Sequence, residues 1–195
     1  NKRDMHTLKK IFSTKKYFLS GHFPSQKYID FVDTRHIISF VRDPLEQVIS
    51  HYNHSVKYLG YEGEFDEFIV ITRHNNIQKR YLNSLPVSLY GFIGLTSSYD
   101  ESLSFINEAY DLNVEVKHSN VGHQKTQTQA SLTSKQREII ETSNFQDVIL
   151  LNQVKTLFKE RLTFQKNKEP WVHGWGNITQ NNIIEGCAYY EKNDN

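Results

Sequence analysis

The chain has 195 residues, of which 37% are hydrophobic and 23% charged, and its formal net charge is +1. This length can enclose one hydrophobic core, and the balanced charge excludes a global basic field for nucleic acid or membrane binding. The one cysteine, Cys187, excludes an internal disulfide and fits a reducing compartment. No apolar run reaches the ~20 residues of a membrane span, and the histidines lack metal-ligand spacing. We therefore expect neither a membrane span nor a metal site.

A strand, a tight turn and a helix are predicted over residues 36–59. Residues 36–41 form a short apolar run rich in β-branched side chains, the pattern of a strand buried on both faces. Asp43 can cap the helix that follows, and Pro44 suits its first position. Apolar residues then recur every three or four positions, which indicates one buried helix face.

The rest of the chain alternates in the same way, which indicates an α/β domain with a parallel sheet. Capping boxes are predicted at Ser98 with Glu101 and at Thr133 with Gln136. The other predicted elements are a strand at 17–19, a helix at 65–82, a strand at 91–96, a helix at 99–110, a loop at 118–131, and helices at 133–142 and 147–162.

Polar groups follow three predicted strands: His22, Arg42 and the Thr96–Ser98 turn. In open α/β sheets, ligands bind beyond the carboxyl ends of the strands. Arg42 also lies just before a helix N-terminus, where free N–H groups favour anions. Arg42 and the Ser50 hydroxyl could therefore hold a phosphate. An ion pair between Arg42 and Asp43, with Ser50 in solvent, fits the residues equally well.

The segment FVRDPLEQVISHY, residues 40–52, resembles the 3′-phosphate-binding signature of sulfotransferases that use 3′-phosphoadenosine 5′-phosphosulfate (PAPS). It has an Arg-Asp-Pro and a Ser eight residues after the Arg. It is most similar to the carbohydrate branch, which includes heparan sulfate uronosyl 2-O-sulfotransferases and bacterial relatives. Weaker similarities follow in the family's order across residues 17–160, among them the Gly-His segment at 20–23 and the stretches at 76–82 and 93–103.

The resemblance implies a P-loop-type parallel sheet flanked by helices. It would form a single sulfotransferase domain over residues 1–165, with its N-terminal strand missing. Residues 166–195 would be a tail, where a further β-rich module of a longer parent chain begins. The implied activity is transfer of a sulfuryl group from PAPS to an acceptor hydroxyl, on a saccharide in this branch, with PAP as product and no metal. A bacterial cytoplasmic location is favoured, with the Golgi lumen as the alternative.

The resemblance also implies roles for single residues. Arg42 and Ser50 would bind the 3′-phosphate, and His22 would be the catalytic base, since an imidazole can accept a proton at neutral pH. A His22 that bonds a backbone carbonyl is the alternative. Further nucleotide contacts are expected in the loop at 118–131, although solvated side chains fit there as well; the candidates are Asn120, Gly122 and Lys125.

The opening segment departs from the family. There the first strand is followed by a loop of the type Lys-Thr-x-Gly-Thr-Ser, whose backbone cradles the 5′-phosphosulfate. In register with it, Lys2 would stabilise the leaving group and Thr7 would contact the nucleotide. The glycine and the first threonine are replaced by the residues at 4–6, one of which is Asp4. Glycine allows close backbone approach, and a carboxylate repels the anion.

Two other functions compete with this interpretation. A non-catalytic carbohydrate-binding or scaffold domain that kept the fold is favoured by the altered opening segment and by the 11 Tyr and 12 Phe. A P-loop kinase or NTPase would need a glycine-rich Walker loop and a magnesium-binding carboxylate, and the sequence shows neither pattern.

Overall fold

The computed structural model of the chain describes residues 7, 10, 19–82, 85–115, 127–179 and 184–190. Its strands are β1 (Ile38–Val41), β2 (Phe92–Leu95), β3 (Val172–Ile178) and β4 (Ile184–Tyr190). Its helices are α1 (Pro44–Leu59), α2 (Phe65–Ile69), α3 (Ile77–Leu82), α4 (Tyr99–Tyr110), α5 (Ser134–Ser143) and α6 (Phe145–Asn167). Short 3-10 turns join them at Ser25–Lys27, Thr34–His36, Thr72–His74, Val87–Leu89, Thr96–Ser98 and Gln129–Ser131.

The strands β1 and β2 pair in parallel, with Ile38 opposite Phe92 and Val41 opposite Leu95. Parallel strands need a crossover between them, and here residues 42–91, which include α1, α2 and α3, provide it. The structure is thus mixed α/β with a small two-stranded parallel sheet and flanking helices, which confirms the predicted α/β class at this level.

The start of α1 forms as its sequence predicts. The Asp43 carboxylate accepts hydrogen bonds from the backbone N–H of Leu45, at 2.9 Å, and of Glu46, at 3.4 Å. Pro44 occupies the first helical position, where its missing N–H costs nothing. At the other end, Gly60 adopts a φ of 67°, the left-handed conformation that terminates many helices.

Two hydrophobic clusters hold the helices in place. The first packs the sheet against α4 and α6 and includes Val41, Phe92, Phe105, Leu150 and Phe158. The second packs α1 against α2 and α5 and includes Leu45, Tyr52, Phe68, Leu132 and Ile140. The chain therefore passes from the first cluster to the second at the β1–α1 corner, between Val41 and Leu45.

The prediction of one helix over residues 65–82 is wrong. The segment divides into α2, the Thr72–His74 turn and α3. The break before α3 is at Asn76, whose φ of 50° is left-handed and cannot continue a right-handed helix. An apolar residue every three or four positions on either side of such a break reads as one continuous helix.

Only one of the two predicted capping boxes forms. Thr133 accepts from the Gln136 N–H, and the Gln136 side chain accepts from the Thr133 N–H. Ser98 makes no side-chain cap, because its backbone ends a 3-10 turn that leads into α4. Its carbonyl oxygen instead accepts from the Ser102 hydroxyl at 2.8 Å.

The C-terminal part of the chain begins with α6 and ends in an antiparallel hairpin. Trp171, which precedes β3, packs edge-on against Phe164 of α6 and lies 4.8 Å from the Arg161 guanidinium. The strands β3 and β4 pair over their whole length, from Val172 opposite Tyr190 to Ile178 opposite Ile184. Within the described part of the chain, every helix is too short or too polar to cross a membrane.

Candidate functional site

The carboxyl edge of the parallel sheet carries Arg42 and Thr96. Arg42 follows Val41, and Thr96 follows Leu95, and because Val41 and Leu95 are paired, both residues leave the sheet side by side. Arg42 is half-buried as a residue, and its guanidinium makes no hydrogen bond or ion pair with any residue that the structure describes. The alternative in which Arg42 pairs with Asp43 is therefore not observed, since the Asp43 carboxylate caps α1.

A side-chain amide holds the backbone of Arg42 on both sides. The Arg42 N–H donates to Gln78 Oε1 at 2.7 Å, and Gln78 Nε2 donates to the Arg42 carbonyl oxygen at 2.9 Å. Gln78 is the second residue of α3, and the two bonds span 36 positions of sequence. They fix the backbone at the β1–α1 corner and leave the guanidinium available for a ligand.

The start of α3 is in turn anchored by a buried carboxylate. Asp147 of α6 is 1% exposed and accepts from the N–H groups of Gln78, at 3.3 Å, and Lys79, at 2.7 Å. Burial raises the pKa of the Asp147 carboxyl, while these backbone hydrogen bonds favour its ionised form. Asp147 thus satisfies free N–H groups of α3 that no residue next to them in sequence caps.

Asn76 completes this polar network. Its side-chain oxygen accepts from the N–H of Gln146, at 3.0 Å, and of Asp147, at 3.2 Å. Its side-chain nitrogen donates to the Ser143 carbonyl oxygen, and its backbone N–H donates to Asn144 Oδ1. A chain of hydrogen bonds therefore links the start of α6, through the start of α3, to the backbone of Arg42.

The Thr96 hydroxyl is a second unbonded group at the same edge. Its Oγ1 atom is buried and has no hydrogen-bond partner in the described part of the chain. A buried hydroxyl without a partner carries a desolvation cost. The edge thus presents a cationic fork on one strand end, with a hydroxyl beneath the surface of the adjoining strand end; both are donor types that bind phosphate and sulfate groups.

Ser50 lies on the solvent-exposed face of α1, opposite the face that carries Val48, Ile49 and Tyr52. It is six residues beyond Pro44, the first residue of α1, and hence about 9 Å along the helix axis. No hydrogen bond joins Ser50 to Arg42 among the contacts that the structure describes. Its hydroxyl is accessible, and an anion would have to extend along α1 to reach it.

His22 is exposed and lies in a bend at Gly21–His22. The strand predicted at 17–19 falls mainly outside the described residues, and Leu19, the last of its three residues, is not in a strand. The next turn is anchored by Ser25, whose hydroxyl bonds the Tyr81 carbonyl oxygen at 3.2 Å. His22 thus precedes a segment that packs on α3, and no described contact joins it to Arg42.

Most of the remaining predicted site residues lie outside the residues that the structure describes. Thr7 has helical backbone and is exposed, whereas a loop was expected there. The other four predicted positions, Lys2, Asn120, Gly122 and Lys125, lie outside the described residues. Their roles stay predictions.

A stack of aromatic rings between α1, α2 and the Thr72–His74 turn was not predicted from the sequence. His51 of α1 contacts His74 edge-on with ring centroids 4.4 Å apart. His74 stacks on Phe68 at 4.6 Å. Burial, helped by the charges of His51 and nearby arginines, lowers the pKa of His74 to about 4. Both rings pack as aromatic surface, and in the described ranges no three His, Cys, Asp or Glu side chains form a metal-binding group.

These observations define a mixed α/β protein whose small parallel sheet presents an unbonded guanidinium at its carboxyl edge. No family model, curated protein or solved structure matches the chain. The functional assignment therefore depends on the chemistry of the edge and on the resemblance of residues 40–52 to the sulfotransferase signature.

Proposed function

We propose that the chain is a PAPS-dependent sulfotransferase that transfers a sulfuryl group to a hydroxyl of a saccharide, with PAP as product. The proposal depends above all on the unbonded guanidinium of Arg42 and on its position at the sheet edge. Its guanidinium has no described partner, its backbone is held by Gln78, and it leaves the sheet beside the buried Thr96 hydroxyl. The same strand, Arg-Asp-Pro and helix order is the family's signature, and a P-loop-type fold is part of the proposal.

The anion would be held by side chains more than by the amides of α1. The Asp43 carboxylate already accepts from the N–H groups of Leu45 and Glu46, and its charge opposes an anion at that helix end. Arg42 can instead present two parallel N–H groups to phosphate oxygens. We assign the 3′-phosphate of the nucleotide to Arg42, with Thr96 beside it and Ser50 as a further hydroxyl along α1.

When bound, PAPS supplies an activated sulfuryl group on a phosphate leaving group. His22 takes the proton from the acceptor hydroxyl, because a neutral imidazole is a competent base at working pH. Lys2 would offset the negative charge that develops at the leaving oxygen. Arg42 contributes by positioning, because a nucleotide whose 3′-phosphate is held at a fixed anchor presents its sulfuryl group to the acceptor in one orientation.

The test supplies the chain with PAPS and a panel of saccharide acceptors and measures the release of PAP. We expect His22→Ala to abolish release while nucleotide binding stays close to that of the parent chain. The matched control is His36→Ala, because His36 is also exposed and lies in a separate 3-10 turn. Unchanged turnover in His22→Ala would remove His22 from the site.

A further inference from the structure

A groove of about 430 Å³ lies between α3, α6 and the C-terminal hairpin. Its volume falls within the range of small-molecule sites in proteins. One side is formed by the segment Leu85, Pro86 and Val87, which leads into the Val87–Leu89 turn and packs against β3. The carboxyl edge of the sheet has other residues, so this groove is a separate candidate site.

The indole of Trp175 forms one wall of the groove. Trp175 lies on β3 and is 45% exposed, and its ring contacts no other described aromatic ring. An exposed indole offers a flat apolar face together with one N–H donor. The C–H face of a pyranose ring has the complementary shape, and its hydroxyl groups need polar partners around such a platform.

Three polar side chains line the same groove: Lys79, Ser88 and Gln153. None of them makes a side-chain hydrogen bond or ion pair with a described residue. Together they offer an ammonium, a hydroxyl and an amide, which can donate to and accept from sugar hydroxyls. The described residues that line the groove include no carboxylate, so its local charge is positive.

The cationic group is attached to a fixed backbone. The Lys79 N–H donates to the buried carboxylate of Asp147 at 2.7 Å, so the first turn of α3 cannot move freely. Gln78, one residue earlier, holds the backbone of Arg42. The groove and the sheet edge thus share one anchor but present different side chains to solvent.

We propose that this groove binds a saccharide that carries negative charge. One pyranose ring stacks on Trp175, its anionic group meets Lys79, and its hydroxyls bond Ser88 and Gln153. The inference goes beyond nucleotide binding at the sheet edge and does not depend on it. It also gives the hairpin a function, because Trp175 lies in residues 166–195, beyond the expected sulfotransferase domain.

The experiment uses the whole chain and two probes of equal length, the anionic hexamer of galacturonate and the neutral hexamer of glucose, maltohexaose. The chain has two tryptophans. Trp171→Phe therefore leaves Trp175 as the single one, and its fluorescence reports on the groove. We expect a saturable change with galacturonate. Calorimetry should show binding at least about tenfold weaker in Trp175→Ala, a loss that corresponds to about 1.4 kcal/mol.

The charge requirement is tested by Lys79→Met, with Lys155→Met as the control on an exposed position of α6. Lys79→Met should weaken galacturonate binding and leave maltohexaose binding, weak from the start, unchanged. The proposal would be overturned if Trp175→Ala left the affinity for the galacturonate hexamer unchanged, or if the two hexamers bound equally well. It would also be overturned if inorganic sulfate displaced the galacturonate hexamer as effectively as an unlabelled hexamer does. Arg42→Ala should keep saccharide binding, so failure here is distinct from failure at the nucleotide site.

Discussion

Replacement of Gln78 by alanine tests the link between the fold and the site. The change removes two hydrogen bonds, of 2.7 and 2.9 Å, that hold the N–H and carbonyl oxygen of Arg42. Each is worth about 0.5–1.5 kcal/mol net, so the free energy of unfolding should fall by about 1–3 kcal/mol. Nucleotide affinity should fall as well, because the backbone that carries the guanidinium is no longer fixed.

Urea denaturation followed by circular dichroism measures the first effect, with an unchanged m-value as the sign that only stability has altered. Gln153→Ala is the matched control, since Gln153 is an exposed glutamine of α6 without a described hydrogen bond; it should stay within about 0.5 kcal/mol of the parent chain. If Gln78→Ala also stays within this limit, the two bonds do not stabilise the corner and the reasoning fails.

Two further predictions concern the packing around the site. The pKa of His74 is 6.5 in the unfolded chain and about 4 in the folded one, so the unfolded state binds more protons in between and stability is lost as pH falls from about 6.5 to 4. His74→Phe should therefore reduce the slope of unfolding free energy against pH in this window, and an unaltered slope would contradict it. Gly94→Ala would bring a Cβ within 2.7 Å of the Phe40 ring and 2.9 Å of Ser102, and thermal melts should show a loss of about 1–3 kcal/mol; a melt like that of the parent chain would show that β2 can move away from α4.

The β1–α1 corner could be predicted because its determinants are local. A β-branched run, a capping aspartate and a proline at the first helical position act over a few residues, and Asp43 and Pro44 do what their types predict. The carboxyl-edge position of Arg42 then follows from the parallel pairing. Sequence signals that act over a few residues were therefore sufficient to predict the position of Arg42, the central residue of the site.

The residues that hold the backbone of Arg42 in place could not be predicted in the same way. Gln78 and Asp147 contact each other across 69 positions. In sequence Gln78 reads as an ordinary polar residue inside the helix predicted at 65–82, and Asp147 as one at a helix start. Only the packing of α6 against α3 turns them into an anchor. The break before α3 did have a local signal, since asparagine is several-fold enriched in left-handed backbone, and Asn76 marks it within an apolar pattern that otherwise continues.

Calorimetric titration with adenosine 3′,5′-bisphosphate, in buffer without magnesium, tests the central claim most directly. We predict saturable binding to the parent chain and about ten- to a hundredfold weaker binding to Arg42→Ala, because loss of a hydrogen-bonded charge costs about 1.5–3 kcal/mol. Arg73→Ala, the removal of an exposed arginine in the Thr72–His74 turn, should bind as the parent chain does. Equal affinity in Arg42→Ala, or no binding to the parent chain, would contradict the account, and the latter result together with saccharide binding would favour a non-catalytic carbohydrate-binding domain.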